Sequence, residues 1–358
     1  MTARTRLGGE LLTTLLGGPF EGLFTVVIAL VLGFLVLAVT GKDAVTAYVA
    51  LLTGPFTRLG RTGQWIEITS NLIFVGLAAS IAFRSRLFNL GLSSQVLMGA
   101  TSAFIFATFA PLPPLVGVIV PLFAAMAGGF LLGVIPGAMR AHIGASEILT
   151  SLMLNFITPL GIELVFSVWP WHRDLPHTSW LPRLSEVTPL ATGTLHAGIL
   201  IALVATLGAW VLLERTPLGY AIGMAGANER FARYGGIDTR RVITLAFGLS
   251  GAFAALTGAN LLMGLLRDPF VSTASFTYDG LVVALLARNR PLVVPVAALL
   301  YAYLLVGADR MEQAAQVGSE IVRVVQAVIV LLVAAPTLVR WWRGRRSEEN
   351  LPAALNAS

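Results

Sequence analysis

The sequence predicts an all-α protein that crosses a membrane many times, as a polytopic helical bundle of about ten spans. Hydrophobic residues make up 56% of its 358 residues and charged residues only 12%, whereas about a quarter of a soluble domain is charged. The mean hydropathy is +0.82. Apolar runs long enough to cross a bilayer, which takes about 20 residues, recur along the whole chain.

Each of these apolar runs is interpreted as one membrane-spanning helix. The first follows Arg4 and Arg6, as in a signal peptide, but it is long enough to span and lacks a small-residue cleavage site. We therefore expect it to be retained as the first span. The ten predicted spans lie at 23–40, 66–83, 92–110, 115–138, 146–168, 197–213, 242–265, 271–287, 291–307 and 320–339.

The distribution of lysine and arginine predicts that both termini lie inside. With the N-terminus inside, sixteen of the 24 basic residues fall on the inner side and eight on the outer side, in agreement with the positive-inside rule. The chain then divides into a cytoplasmic N-terminal segment at 1–22, a transmembrane domain at 23–340 and a cytoplasmic tail at 341–358. The predicted location is the inner (plasma) membrane.

The eighth span and two outer segments depart from the simple pattern. Gly280–Ala287 covers only about half a bilayer, and Val271–Asp279 is rich in serine and threonine. We therefore expect a short or broken helix here, with Asp279 capping it. On the outer side, Gly41–Gln64 and Trp169–Ala197 are predicted to be long loops.

Several kinds of chemistry are excluded by composition. Lys42 is the single lysine and lies outside any P-loop pattern, so the chain carries no Walker A motif. Gly248–Gly251 fits the GxSG form of intramembrane serine proteases, but no histidine follows Ser250 to act as its base. There is no HExxH motif and no cysteine. The arginines lie at span ends, which argues against nucleic-acid binding. We therefore predict no enzyme activity, catalytic site, metal site or cofactor.

The fifth span carries a narrow polar stripe on an otherwise apolar helix. At about 100° per residue, its four members face one side. Polar groups inside a membrane are costly and usually face the bundle interior or a water-filled path. The stripe therefore either lines a substrate path or packs locally, with Glu147 near Arg140 and Asn155 bonded to a neighbouring helix. The stripe consists of Glu147, Ser151, Asn155 and Thr158.

A second polar cluster opens the third span. It consists of Asn89, Ser93, Ser94 and Gln95. Two interpretations stay open here as well, namely helix capping with packing, or contact with a solute. From the two clusters, the residues predicted to line a substrate path are Asn89, Ser93, Gln95, Glu147, Ser151 and Asn155.

The longest polar interruption on the inner side is Glu214–Arg241, with five arginines. Gly226–Asn228 is typical of a turn and an N-cap. Glu229–Tyr234 then predicts a short helix, and Gly235–Gly236 predicts its stop. A short capped helix on the inner face suits contact with a partner protein. The residues predicted for that contact are Gly226, Asn228, Glu229, Arg230, Arg233, Tyr234, Gly235 and Gly236.

Four stretches, in the expected order, resemble the permease subunits of ABC importers of the ribose/branched-chain amino acid type, closest to the simple-sugar and nucleoside branch. The likeness runs from about 66 to 340. Compared with the branch, Leu92-Ser93-Ser94 replaces Val-Glu-Gly, Ala287 replaces Gly and Arg290 replaces Asn. The four stretches are Phe88–Ala100 (FNLGLSSQVLMGA), Gly144–Phe156 (GASEILTSLMLNF), Thr216–Ala252 with its TPLGY, GAN and ARYGGI segments, and Tyr278–Asn289 (YDGLVVALLARN).

The resemblance implies a permease that translocates a small polar solute, such as a nucleoside or simple sugar, and breaks no bond itself. It implies two ABC ATPase subunits or one fused double ATPase, a second and often different permease subunit, and an extracytoplasmic solute-binding protein. The binding protein would dock chiefly around 169–197, and ATP-driven motion would pass through Gly219–Ile237. The alternative is a stand-alone secondary transporter driven by an ion gradient. Two observations argue against this alternative. The sequence shows no internal repeat, and it offers no second intramembrane carboxylate as well placed as Glu147.

Overall fold

The computed structural model describes residues 43–109, 114–168, 196–266 and 274–316, with separate residues inside 31–38 and 318–327. Within these ranges the chain is helical and contains no β-strand. The all-α class predicted from the apolar runs is therefore confirmed for the described part of the chain. The terminal segments at 1–22 and 341–358 and the outer loop at 169–195 lie outside the described residues.

Eleven α-helices with short connections make up the described ranges. Three of the connections are single helical turns, two of 3-10 type at Gly54–Phe56 and Pro291–Val293 and one π turn at Leu262–Leu266. The helices are α1 (Ala44–Thr53), α2 (Leu59–Arg84), α3 (Leu92–Phe109), α4 (Pro114–Ile143), α5 (Glu147–Val168), α6 (Gly198–Arg215), α7 (Pro217–Ala227), α8 (Glu229–Tyr234), α9 (Thr239–Leu261), α10 (Ala274–Leu286) and α11 (Val294–Ala315).

The helices divide between two compact units. One comprises the described residues of Met1–Pro55 and Leu304–Ser358. Its core is built on α1 and the second half of α11, where Leu51 and Met311 are buried together. Asp43 begins α1 by accepting hydrogen bonds from the backbone N–H groups of Val45 and Thr46. The Thr46 hydroxyl and backbone bonds hold the pKa of the Asp43 carboxyl below its ordinary value.

The other unit, Phe56–Tyr303, is organised around α2 and α9. In each of these two helices, 83% of the most apolar 18-residue window is buried, against 17% in α5. Helices α3 and α4 pack directly on α9, and α10 and α6 pack on α2. The polar residues carried by α2 and α9 therefore lie at the centre of this unit, while α5 and α6 present apolar faces outward.

Gly129, Gly133 and Gly137 recur at every fourth residue of the fourth predicted span. This spacing predicts close helix packing, and in the structure these glycines bring α4 against α9. A Cβ built on Gly129 would overlap with the carbonyl oxygen of Gly251, and one built on Gly133 would overlap with that of Phe247. Two turns further along α9, Gly258 meets the backbone of Val96 in α3. This backbone-to-backbone approach is the packing that glycine permits in membrane helices. The small-residue spacing is therefore explained by helix packing.

Six helices in the described ranges are long and apolar enough to cross a membrane: Leu59–Arg84, Val116–Ile143, Glu147–Val168, Gly198–Arg215, Thr239–Gly264 and Pro291–Ala315. They coincide with predicted spans two, four, five, six, seven and nine. The third and eighth predicted spans are shorter apolar helices, Leu92–Ala107 and Phe276–Leu286. Most of the first and tenth spans lies outside the described residues, so the count of ten stays a prediction.

Two local predictions were wrong. The predicted loop Gly41–Gln64 is mostly helical from residue 43 onward, because α1, a 3-10 turn and the start of α2 occupy it. Its apolar run is too short to span, but Asp43 supplies the N-cap signal that marks a helix start. Asp279 does not cap a helix, since it lies inside α10 and accepts a hydrogen bond of 2.7 Å from the Tyr301 hydroxyl.

Candidate substrate path and coupling surface

The polar cluster that opens α3 is a buried, hydrogen-bonded network. Asn89 is 1% exposed, and its amide nitrogen donates to Gln95 Oε1 at 2.8 Å and to Ser250 Oγ of α9 at 3.0 Å. Ser250 in turn donates to the carbonyl oxygen of Ala78 in α2 at 2.8 Å. The network joins α2, α3 and α9 at the centre of the unit, so Asn89 and Gln95 use their polar atoms within the chain.

The polar stripe of α5 lies directly against this cluster. Ser151 is fully buried, and its hydroxyl accepts from the backbone N–H of Leu90 at 3.2 Å. Asn155 donates to the carbonyl oxygen of Leu90 at 2.8 Å and accepts from the backbone N–H of Ser94 at 3.0 Å. Ser94 is in the first turn of α3, whose N–H groups have no partner within the helix. Asn155 therefore caps α3 from a neighbouring helix.

The remaining members of the two clusters lie at their edges. Glu147 begins α5 and faces Arg140 at the end of α4, with Oε2 3.2 Å from Nε. That distance is within ion-pair range, although the guanidinium Nε–H is not aligned on the carboxylate. Thr158 is buried, and Ser93 is half-buried. The structure thus brings the two predicted clusters together in one place, and in this conformation the local-packing contacts are present. Their part in a substrate path stays a prediction.

A third polar cluster was missed by the sequence analysis. Glu67 of α2 is 5% exposed and accepts from the Asn71 amide at 3.3 Å. Asn260 of α9 donates to Asn71 Oδ1 at 2.7 Å and to Ser70 Oγ at 3.1 Å. The signal that could have revealed it is the carboxylate of Glu67 inside a predicted span, because ionisable groups in spans are rare and usually functional.

His196 lies against this third cluster at the start of α6. Its imidazole is 4% exposed, and burial lowers the pKa of the ring. A Cβ built on Gly198 would meet both the His196 ring and Asn260 Oδ1, and Gly264 is equally close to the ring. His196 Nε2 and Asn260 Oδ1 are buried with no hydrogen-bond partner among the described residues. The third cluster is therefore tightly packed, but only some of its polar atoms have hydrogen-bond partners among the described residues.

The predicted short helix on the polar interruption is present with the predicted bounds. Helix α8 runs from Glu229 to Tyr234, and the Asn228 side chain caps it by accepting from the Phe231 N–H at 3.0 Å. Gly236, with φ of +81°, reverses the chain after it. The one difference is that Gly226 belongs to the preceding helix, α7, instead of a turn. Gly226 packs against the backbone of Ser85 at the end of α2.

Helix α8 is held from one side and exposed on the other. Ala232 is buried, and Arg233 forms an ion pair with Glu229 and donates to the Thr239 hydroxyl at 2.8 Å. In contrast, Phe231 is 61% and Tyr234 92% exposed. Two exposed aromatic side chains on one fixed turn of helix form a surface suited to docking, because aromatic residues are enriched at protein interfaces.

No group of three or more residues of the types that bind metals comes together in the described part of the chain. The polar clusters and α8 therefore remain the candidate functional features. They offer hydrogen-bonding groups and a docking surface.

Comparison with known proteins identifies the family. The profile of the branched-chain amino acid transport system / permease component family matches residues 62–334. The chain is 32% identical to the guanosine ABC transporter permease protein NupP of Bacillus subtilis over 333 residues, which are 90% of this chain and 95% of that protein.

Two further relatives have similar coverage. The nucleoside ABC transporter permease protein NupB of Lactococcus lactis is 29% identical, over 88% of this chain and 91% of its own length. The glucose ABC transporter permease protein TsgB13 of Haloferax volcanii is 31% identical, over 89% of this chain and 88% of its own length. The chain therefore belongs to the branched-chain amino acid transport system / permease component family, and is a multi-pass permease subunit of an ABC transporter in the inner (plasma) membrane, a transport component and not an enzyme.

Proposed function

We propose that this permease imports a nucleoside, with a simple sugar as the second candidate. The observation that carries the proposal is the 32% identity to a guanosine permease over 95% of that protein's length. The glucose permease supports the second candidate, because it is 31% identical over a comparable length. Both solutes are small and rich in hydroxyl groups, so both suit a path lined with hydrogen-bonding side chains.

In the proposed assembly, this chain pairs with a second permease subunit, often a different one. Two ABC ATPase subunits, or one fused double ATPase, bind the cytoplasmic face. An extracytoplasmic solute-binding protein delivers the solute and docks chiefly around 169–197. The chain itself crosses the membrane about ten times with both termini inside, as its sixteen inner and eight outer basic residues favour.

The ATPase contact is proposed at α8. The helix is anchored by Ala232 and by the bond from Arg233 to Thr239, at the N-terminus of the central helix α9. Movement of α8 would therefore pull directly on α9, on which α3 and α4 pack. The contact would use the exposed side chains of α8 together with Arg230 and the glycines at 235 and 236.

The solute path is proposed between the network that joins α2, α3 and α9 and the polar stripe of α5, with Asn89, Ser93, Gln95, Glu147, Ser151 and Asn155 along it. Supporting this, the network lies where the core helices meet, and its amide and hydroxyl groups could exchange internal partners for a solute. In the conformation described here the internal bonds are made, so the proposal requires α5 to move relative to α3 during the cycle.

An uptake assay tests the proposed function. The full chain is expressed with its ATPase, second permease and binding protein in cells that lack other nucleoside and sugar importers, and labelled nucleosides and sugars are supplied in parallel. We expect saturable nucleoside uptake that is lost when the ATPase is inactivated. A catalytically inactive ATPase is the matched control. Uptake of neither class, or uptake that survives ATPase loss and collapses with an uncoupler, would contradict the proposal.

A further inference from the structure

A cavity at the ends of α2 and α6 is not used by the proposed transport cycle. It has a volume of about 870 Å³. The 3-10 turn Pro291–Val293 closes one side by packing against α6. The lining residues are Arg84, Trp210, Glu214, Arg215, Arg288, Asn289, Arg290, Pro291, Leu292 and Val293. Four arginines and one glutamate give the cavity a formal charge of +3 (four minus one).

Helix geometry accounts for only two of these arginines. Arg84 and Arg215 end α2 and α6, where the helix dipole favours positive charge. Both also have partners, since Arg84 pairs with Glu214 and Arg215 lies 4.9 Å from the centre of the Trp210 ring. This local explanation does not extend to the other two, because Arg288 and Arg290 follow the last turn of α10.

The segment that carries Arg288 and Arg290 has an unusual backbone. Arg288 and Asn289 both have left-handed φ angles, +53° and +55°, which are uncommon for residues other than glycine. Both arginines are exposed, and no carboxylate of the described residues lies within 4 Å of either guanidinium. Asn289 Oδ1 is buried without a hydrogen-bond partner in the described part of the chain. The cavity therefore offers two guanidinium groups that contact no carboxylate, with Glu214 of the lining attracting Arg290 at longer range, and an amide oxygen that has no hydrogen-bond donor.

Apolar surface leads from this cavity along two helices. On α6 the exposed side chains recur at helical spacing and end beside Trp210. On the other wall, the exposed apolar side chains begin with Leu292 and Val293 and continue along α11. The residues of the two stripes are Leu200, Leu203, Val204, Leu207 and Val211, and Leu292, Val293, Val296, Leu299 and Leu300. A ligand with a negative head and long apolar chains matches this arrangement.

We propose that this cavity binds one anionic phospholipid. The lipid phosphate lies between Arg288 and Arg290, and its acyl chains follow the apolar stripes of α6 and α11. A hydroxyl on the headgroup, as in phosphatidylglycerol, donates to Asn289 Oδ1. Basic pockets between membrane helices on the cytoplasmic side are suited to such headgroups, and each arginine near the surface strengthens the attraction. The apolar walls favour a lipid over a free phosphate or an acidic protein segment.

The test measures bound lipid on the full chain, purified with its transporter partners from nanodiscs that contain phosphatidylglycerol and phosphatidylcholine. Mass spectrometry of the retained lipid gives the preference for phosphatidylglycerol. We expect the wild type to enrich it, and Arg288→Gln with Arg290→Gln to reduce the preference by roughly 30-fold, from about 1 kcal/mol per arginine and 1.4 kcal/mol per factor of ten. Arg288→Lys with Arg290→Lys should keep most of it.

The matched control is Arg86→Gln with Arg240→Gln, which removes the same charge from two exposed arginines outside the cavity lining. It should leave the preference unchanged. Four results would overturn the proposal: no preference in the wild type, an unchanged preference in the Arg288/Arg290 variant, an equal loss in the control, or displacement of the lipid by millimolar inorganic phosphate. The proposal would also be overturned if the Arg288/Arg290 variant lost the ATPase during purification but kept the wild-type lipid preference. The two arginines would then serve a protein contact. The wild-type comparison needs no variant, so a misfolded variant does not block the test.

Discussion

Replacing Tyr234 with alanine separates the two possible roles of α8, local structure and docking. The Tyr234 side chain is 92% exposed, so its removal should change the free energy of unfolding by no more than about 0.5 kcal/mol. If the ring is buried in a groove of the ATPase, truncation should cost at least about 2 kcal/mol of binding, because tyrosine is enriched among interface hot spots. That energy corresponds to roughly a 30-fold loss of affinity.

The assay titrates the ATPase subunit against the permease in nanodiscs and measures affinity together with ATP hydrolysis stimulated by the loaded binding protein. Thermal unfolding of the variant should match that of the wild type. Tyr278→Ala is the control, because Tyr278 lies on α10, outside the coupling segment at 219–237, and is 54% exposed, and it should retain affinity. If Tyr234→Ala binds the ATPase and couples normally, the docking role of α8 is refuted.

Three further outcomes are expected. Glu229→Arg with Arg233→Glu reverses the charges of α8 and should abolish solute-stimulated ATP hydrolysis while the membrane helices stay folded by circular dichroism. Asn155→Leu removes the cap from α3 and should lower the free energy of unfolding by about 2 kcal/mol, from two lost hydrogen bonds, and impair uptake at normal expression. Gly133→Ala should lower the melting temperature, with an unfolding cost of about 1–3 kcal/mol from overpacking against α9, whereas Gly161→Ala should not, because a Cβ at Gly161 meets nothing within 4 Å.

Each expectation can fail in a recognisable way. Normal coupling in the charge-reversed variant would count against an electrostatic contact at α8. Unchanged uptake kinetics for Asn155→Leu would mean that the α5 stripe is structural. Equal melting temperatures for the two glycine variants would show that the α4–α9 contact tolerates a methyl group.

Features that depend on neighbouring residues were predicted well. The bounds of α8 follow from Asn228, whose side chain reaches a backbone N–H three residues away, and from Gly236 at the stop. Close packing of α4 followed from the spacing of its glycines. The same local reasoning failed at 41–64, where the Asp43 cap was passed over because the apolar run behind it is too short to span.

Contacts between distant residues could not be predicted. Ser94 and Asn155 were both identified as polar residues inside spans, yet nothing in their spacing of 61 positions shows that one caps the helix of the other. Asn260 and Ser70 are 190 positions apart, and their hydrogen bond exists only because α2 and α9 pack together. Asp279 was assigned to a helix end, whereas its partner, Tyr301, comes from another helix.

The sequence by itself determined that this chain is an all-α membrane protein, that it carries no Walker A motif, and that a short capped helix interrupts its series of apolar helices. These properties follow from composition and from contacts within a few residues. Both are independent of how distant helices pack together. Only the tertiary structure decided that two separate polar clusters form one network, that Glu67 belongs to a third, and that Arg288 and Arg290 line a cavity with apolar walls. The physical reason is that a buried polar side chain must find a partner wherever helix packing places one, and that packing is set by side chains along the whole bundle.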